Sequence, residues 1–234
     1  MDASEKLVHD YLIHCGYTSV HYEPDGNIPP DFSIAGNIAI EVRRLNQHYF
    51  DGTEPVGLEE NSIPLWIKLK KLIAEIGPAP TVHSWYVYCR FHRPIKSWRA
   101  IAKGVVAALE RFAVTPDQDR GTIATIGNFE IDVFPARICH TSMFVFGGHS
   151  DEESGGWLIY EMERNIQYCL REKTEKISGV RSNYKQWWLA LVDHIGYGLD
   201  EFDRELFGDQ VSIIHNWDRV ILIDPRDHTR WFEI

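Results

Sequence analysis

Two carboxylates and a cation occur in this chain at a spacing that could hold a divalent metal ion. Asp31 follows a Pro-Pro pair, and Glu41 and Arg43 lie in an apolar run that begins at Ile38. Side chains of a β-strand alternate between its two faces, so a strand here places Glu41 and Arg43 on one face and the isoleucines on the other. The pattern predicts that acidic and basic groups share one face of a small sheet.

A tight turn over residues 35–37 would bring the two carboxylates together. Ala35-Gly36-Asn37 is good turn material, and it lets Ile34 pair with Ile38, which places Asp31 opposite Glu41. Opposed side chains lie about 5 Å apart at Cβ. Two carboxylates at that distance repel unless a hard cation lies between them, which indicates a Mg²⁺ or Mn²⁺ site. The alternative is a solvated polar face on an edge hairpin.

The run Pro30-Asp31, nine residues, then Glu41-x-Arg43 resembles the signature of the PD-(D/E)xK phosphodiesterases, the restriction-endonuclease-like superfamily. That family carries the Asp and the (D/E)xK on adjacent strands behind an N-terminal helix that often bears a glutamate, and Glu5 matches this acid. The resemblance covers residues 1–47 and extends loosely over 154–193. Arg43 replaces the signature lysine.

The resemblance implies an α/β fold with a restriction-endonuclease-like core, in which a mixed central β-sheet is flanked by helices. It divides a single elaborated domain, 1–234, into a motif-bearing part at 1–78, an elaboration with an inserted β-hairpin at 79–153, and a completing helix and strands at 154–234. It also implies a Mg²⁺- or Mn²⁺-dependent nuclease acting on nucleic acid, with DNA as the expected substrate. A homodimer is left open.

The same resemblance assigns roles to the motif residues. Asp31 and Glu41 would hold the metal, Glu5 would support it or its water, and Arg43 would stabilise developing negative charge. A first-turn acid such as Glu5 is also favoured simply by the helix dipole. Arginine forks onto phosphate oxygens, but it cannot accept a proton at workable pH and so cannot be a general base.

Lys173 is the predicted substitute for the missing lysine. It lies inside the apolar stripe of a helix predicted over 157–177, one turn beyond Cys169. A buried stripe can direct an ammonium towards a site in the core. The alternative is a lysine stem that lies along apolar surface and takes its charge to solvent.

Two rival functions remain open. A catalytically inactive member of the superfamily would act as a binding or scaffold protein. An unrelated α/β hydrolase could use Asp193, His194 and Asp224, which end predicted strands, although polar residues at strand ends are common. The chain has no GxSxG, P-loop, HExxH or GxGxxG motif, so those enzyme classes lose support.

Composition favours a cytoplasmic protein without a membrane partner. The chain has 234 residues and a formal net charge of −10, which disfavours non-specific nucleic-acid binding but is compatible with a local basic groove. Its four cysteines are scattered without CxxC spacing and indicate reduced thiols. No signal peptide and no apolar run near the length of a membrane span are apparent.

Local periodicity predicts the remaining elements. Residues 51–62 are predicted as an acidic loop and 147–156 as a flexible one. Helices are predicted over 4–15, with Ser4 as N-cap, and over 64–76, 97–112 and 157–177. Strands are predicted over 17–22, 82–91, 122–126, 129–134, 141–146, 187–192, 220–223 and 230–233.

Overall fold

The computed structural model describes residues 1–52, 54–80, 83–114 and 121–234. The chain forms two compact units. The first comprises Met1–Gln47 together with Gly156–Ile234, and the second comprises His48–Gly155.

The first unit is built on a six-stranded mixed sheet. Its elements are α1 (Ala3–His14), β1 (Val20–Tyr22), β2 (Phe32–Ile34), β3 (Ile38–Leu45), α4 (Leu158–Ile177), β10 (Gln186–Asp193), α5 (Glu201–Gln210), β11 (Arg219–Asp224) and β12 (Asp227–Glu233). The strand order is β1-β2-β3-β10-β11-β12. The three central strands β3, β10 and β11 are parallel. Strands β2 and β12 pair antiparallel with β3 and β11, and β1 pairs antiparallel with β2.

Helices cover both faces of this sheet. Val8 and Leu12 of α1 pack against one face, where they meet Ile40 and Val42 of β3. The apolar stripe of α4 packs against the other face, around Ala39 and Leu45. The central strand β10 is a continuous apolar run because both of its faces are buried.

The second unit has its own sheet and core. Its elements are β4 (His48–Tyr49), β5 (Val56–Gly57), α2 (Leu58–Ala74), β6 (Trp85–Phe91), α3 (Trp98–Val114), β7 (Gly121–Thr125), β8 (Phe129–Pro135) and β9 (Phe144–Asp151). Four strands form a mixed sheet in the order β7-β8-β6-β9, with β6 and β9 parallel. Residues of α2 and α3 share one core with the strands.

The predicted α/β class, with mixed sheets flanked by helices, is confirmed. The predicted hairpin of the 79–153 region appears as β7 and β8, and the compact unit that contains this region begins at His48. The restriction-endonuclease-like identity of the core stays a prediction.

Several boundaries predicted from sequence were wrong. Helix α2 begins at Leu58, inside the predicted loop, so Pro64 lies within the helix rather than at its start. Strand β9 continues through the predicted flexible loop to Asp151, with a register shift where it passes Tyr88 of β6. The N-cap of α1 is Asp2, not Ser4. Val82, the first residue of a predicted strand, lies outside the described residues.

None of the helices in the described ranges is long and apolar enough to cross a membrane.

Candidate active site

The β2–β3 hairpin has the predicted register. Ile34 pairs with Ile38 and Phe32 with Ile40, so the next position outward sets Asp31 beside Glu41. The turn needs left-handed backbone at two successive residues, Ala35 (φ 48°) and Gly36 (φ 67°). This turn type fixes the pairing, and the pairing brings the two acids to neighbouring positions on adjacent strands.

The backbone of β3 anchors the Asp31 carboxylate. The amide N–H of Val42 donates to Asp31 Oδ2 at 2.6 Å. Burial, followed by the negative charge of Glu41, raises the pKa of Asp31 above its usual value, and the Val42 hydrogen bond and the two lysines described next only partly oppose this. The raised pKa of Asp31 thus reflects its burial first and its interaction with Glu41 second.

Glu41 is the buried centre of the site. Its side chain is 0% exposed, and its Oε2 accepts from Lys173 Nζ at 2.7 Å and from Lys176 Nζ at 3.0 Å. Within the described part of the chain, Oε1 of the same carboxylate has no hydrogen-bond partner. A fully buried charged oxygen without a donor is costly, so this atom marks a place where a cation or a donor would be stabilised.

Helix α4 supplies both lysines. Lys173 extends the stripe of Ile166 and Cys169, and its side chain is 7% exposed, whereas the side chain of Lys176, one turn later, is 44% exposed. Burial alone would lower the pKa of Lys176, but its hydrogen bond to Glu41 and the charges of both acids outweigh that and raise it. Lys176 is therefore a cation at neutral pH.

Lys173, the predicted substitute for the signature lysine, lies beside the motif acid Glu41. A residue 132 positions away from Glu41 in sequence contacts its carboxylate. Lys176 was missed by the sequence analysis, although its spacing of three from Lys173 places the two on one helix face. The catalytic roles of these residues stay predictions.

Arg43 lies on the same face of β3 as Glu41, as the strand alternation predicted, but its partner belongs to α4. Its Nε donates to Glu172 Oε2 at 3.0 Å, and both side chains are partly exposed. Arg43 is therefore ion-paired with α4 and not with either motif acid.

Glu5 forms part of a capping box at the start of α1. Its backbone N–H donates to Asp2 Oδ1, its own Oε2 accepts from the Asp2 N–H, and Tyr22 Oη donates to it at 3.0 Å. No hydrogen bond or ion pair among the described residues joins Glu5 to Asp31 or Glu41. The capping role accounts for this acid locally, and its proposed support of a metal stays a prediction.

The residues of the rival hydrolase are tied into loops at the strand ends. Asp193 is fully buried and accepts from the backbone N–H groups of Ile195, Gly196 and Gly198. Asp224 is held by two arginines, Arg226 and Arg230.

His194 is engaged as well. Its backbone N–H donates to the carbonyl of Leu45, and its ring lies against Arg44 and Tyr197. These contacts give all three residues of the rival site structural functions.

The acids available for a metal are few. Among the described residues, no group of three or more His, Cys, Asp or Glu side chains is arranged to hold a metal ion. Asp31 and Glu41 thus offer a two-carboxylate site, a donor set that suits Mg²⁺ when water and substrate oxygens complete the coordination.

Comparisons with protein-family models, with curated proteins and with solved structures find no match to this chain.

Proposed function

We propose that this protein is a metal-dependent nuclease that hydrolyses phosphodiester bonds, with DNA as its expected substrate. One observation carries the proposal: the buried Glu41 carboxylate, which is bonded by two lysines on Oε2, bare on Oε1 and adjacent to Asp31. Two acids on adjacent strands with a lysine beside them resemble the PD-(D/E)xK arrangement, with the lysines supplied by α4 and Arg43 at the signature position.

The residues present fit a hard divalent cation. Glu41 Oε1 needs a positive partner, and Asp31 has one carboxylate oxygen beyond the Oδ2 that accepts from Val42. Asp31 and Glu41 would hold Mg²⁺ or Mn²⁺. A bound ion would supply Lewis-acid activation of the scissile phosphate and of an attacking water.

The lysines have separable tasks in this proposal. Lys173, almost fully buried, fixes the Glu41 carboxylate from the core side and keeps Oε2 engaged. Lys176, half exposed and with a raised pKa, presents a stable positive charge at the mouth of the site. A cation there stabilises negative charge that develops on phosphate oxygens, but it does not take up a proton.

Arg43 has a conditional role. Its guanidinium is paired with Glu172 at a partly exposed position, so an incoming phosphate competes with the Glu172 carboxylate for the same N–H donors. Exposed ion pairs are worth about 1 kcal/mol or less, so a substrate phosphodiester can displace Glu172 at small cost.

The experiment that tests the proposal is cleavage of supercoiled plasmid and of single-stranded DNA with Mn²⁺. We expect wild type to cut, and Asp31→Asn and Glu41→Gln to lose activity by a factor of roughly a hundred or more. Glu175→Gln is the matched control, because Glu175 is an exposed carboxylate on α4 beside Lys176. It should cut like wild type.

Two outcomes would contradict the proposal. Wild type that cuts neither substrate, but binds DNA equally well with Glu41→Gln, would favour the inactive scaffold protein. Cleavage that survives Glu41→Gln but is lost in Asp193→Asn would place the chemistry at the rival strand-end residues.

A further inference from the structure

A cavity of about 350 Å³ lies within the second unit. Its walls come from β4, the first half of α2 and the segment of residues 93–98 that leads into α3. Small-molecule pockets occupy roughly 300–1,000 Å³, so this cavity is large enough for an organic ligand. Nothing in the carboxylate–lysine site contributes to it.

A buried arginine forms part of the wall. The Arg93 side chain is 3% exposed, its Nε and Nη2 donate to Asp151 Oδ2, and Nη2 also donates to the carbonyl of Leu58. Arg93 also lines the cavity. Its guanidinium carries five N–H donors and a permanent positive charge, so it adds a cation to the cavity wall.

Further cations and two aromatic rings line the same cavity. Lys68 Nζ lies 5.8 Å from the ring centroid of Trp98, and the Arg93 guanidinium lies 5.9 Å from that of Tyr49. Lys96 completes the basic set. Cations interleaved with aromatic rings suit a ligand that joins an anionic group to a flat ring.

The position of Lys96 depends on a glycine. Gly127 has a left-handed backbone (φ 69°), and a Cβ placed on it would lie 2.5 Å from Lys96 Cε and 2.6 Å from Lys96 Nζ. Any side chain at position 127 therefore displaces the ammonium. A substitution of Gly127 can therefore shift the Lys96 ammonium while the lysine itself is kept.

The remaining polar lining defines the ligand further. Glu60 and Asn61 offer acceptors and a donor. A simple inorganic anion would leave these groups and both rings unused, and the Glu60 carboxylate disfavours a ligand that is anionic throughout. A nucleobase with exocyclic amino groups matches the acceptors and stacks on a ring, while a phosphate matches the cations.

We infer that this cavity binds a nucleoside monophosphate, with its phosphate at Arg93, Lys68 and Lys96 and its base against Trp98. The same phosphomonoester chemistry occurs on a free mononucleotide and on the 5′ end of a nucleic-acid strand. The site is independent of the proposed nuclease activity, since it uses none of the same residues.

Calorimetric titration of the full chain tests the inference. The probes are dAMP, deoxyadenosine, inorganic phosphate, and a short single-stranded oligonucleotide with and without a 5′-phosphate. We expect dAMP to bind at least about tenfold more tightly than deoxyadenosine or phosphate, because each lacks one half of the contacts. The titration is repeated with Glu41→Gln, which should bind equally well even if the proposed nuclease activity fails.

Three variants locate the binding. Lys68→Ala, Lys96→Ala and Gly127→Ala should each weaken dAMP binding by roughly tenfold, about the loss expected for one charge-assisted contact. Lys70→Ala is the matched control, because Lys70 is an exposed lysine on α2 that does not line the cavity. Arg93 is left unchanged, since its buried pair with Asp151 supports the fold.

The oligonucleotide arm distinguishes the two sources. Binding that requires the 5′-phosphate and depends on Lys68 and Lys96 supports the site and assigns it to a strand end, whereas binding of dAMP alone supports it and assigns a free mononucleotide. Absence of binding by every probe at millimolar concentration overturns the inference. So does an affinity that the three variants leave unchanged.

Discussion

Lys173→Met should strongly destabilise the protein when no divalent ion is present. Lys173 Nζ lies 2.7 Å from Glu41 Oε2, with side chains 7% and 0% exposed. Removing one partner of a buried pair typically costs 3–5 kcal/mol, because the other charge stays buried. Lys176 remains as a second donor to the same oxygen, so we expect the lower part of that range, about 3 kcal/mol.

Urea denaturation near neutral pH, with EDTA and then with millimolar Mn²⁺, measures this effect. Mn²⁺ should stabilise Lys173→Met more than wild type, because a cation replaces the missing ammonium and binds only the folded state. Lys176→Met is the comparison variant. Because Lys176 is half exposed, loss of its pair with Glu41 should lower the free energy of unfolding by about 1 kcal/mol or less. The double variant Glu41→Gln/Lys173→Met should recover much of the stability.

An equal and small loss of stability in Lys173→Met and Lys176→Met would contradict this expectation. That result would mean that the Lys173 ammonium reaches solvent, as the snorkelling alternative holds, and that Glu41 is not the buried anion described above.

Three further outcomes follow from the same contacts. Asp31→Asn should raise metal-free stability near neutral pH, because the raised pKa of Asp31 in the folded state means that its ionised form is destabilising. The gain should disappear below the ordinary carboxyl pKa of 3.8, and urea denaturation at a series of pH values measures it. Arg43→Ala should change stability by about 1 kcal/mol or less, since its pair with Glu172 is partly exposed, yet lower the cleavage rate if Arg43 binds phosphate. Asp193→Ala should cost roughly 2–4 kcal/mol in chemical denaturation by orphaning three backbone donors, with the Mn²⁺ response retained.

The hairpin and the long helix were predictable because their signals are local. Alternation over Ile38–Leu45, with a three-residue turn before it, fixes both the register and the shared face of Glu41 and Arg43. The 3.6-residue stripe of α4 marks Lys173 as core-facing. Periodicity determines which face a residue occupies, and that was enough to nominate the lysine.

What periodicity cannot give is the rotation and depth of one element against another. Pairing Arg43 with Glu172 rather than with a motif acid depends on how α4 lies across β3, and these residues are 129 positions apart. The start of α2 was missed for a different reason. Its acidic first turn, Glu59 and Glu60, is typical of both loops and helix N-termini, and Pro64 in its interior imitates a helix start.

The charges of the candidate site suggest an order of events. Asp31 and Glu41 carry two negative charges when ionised, and Lys173 and Lys176 carry two positive ones, so the metal-free site is formally neutral. This balance makes a buried glutamate tolerable without any ion. A divalent cation alone adds two positive charges to a neutral site, and a phosphodiester adds one negative charge near them. In the proposed function each therefore favours binding of the other, and the half-exposed Lys176 can contact the phosphate while the cation lies at Glu41 Oε1. The proposed function therefore predicts that the two lysines stabilise the folded protein in the absence of metal, and that metal and nucleic acid bind cooperatively rather than independently.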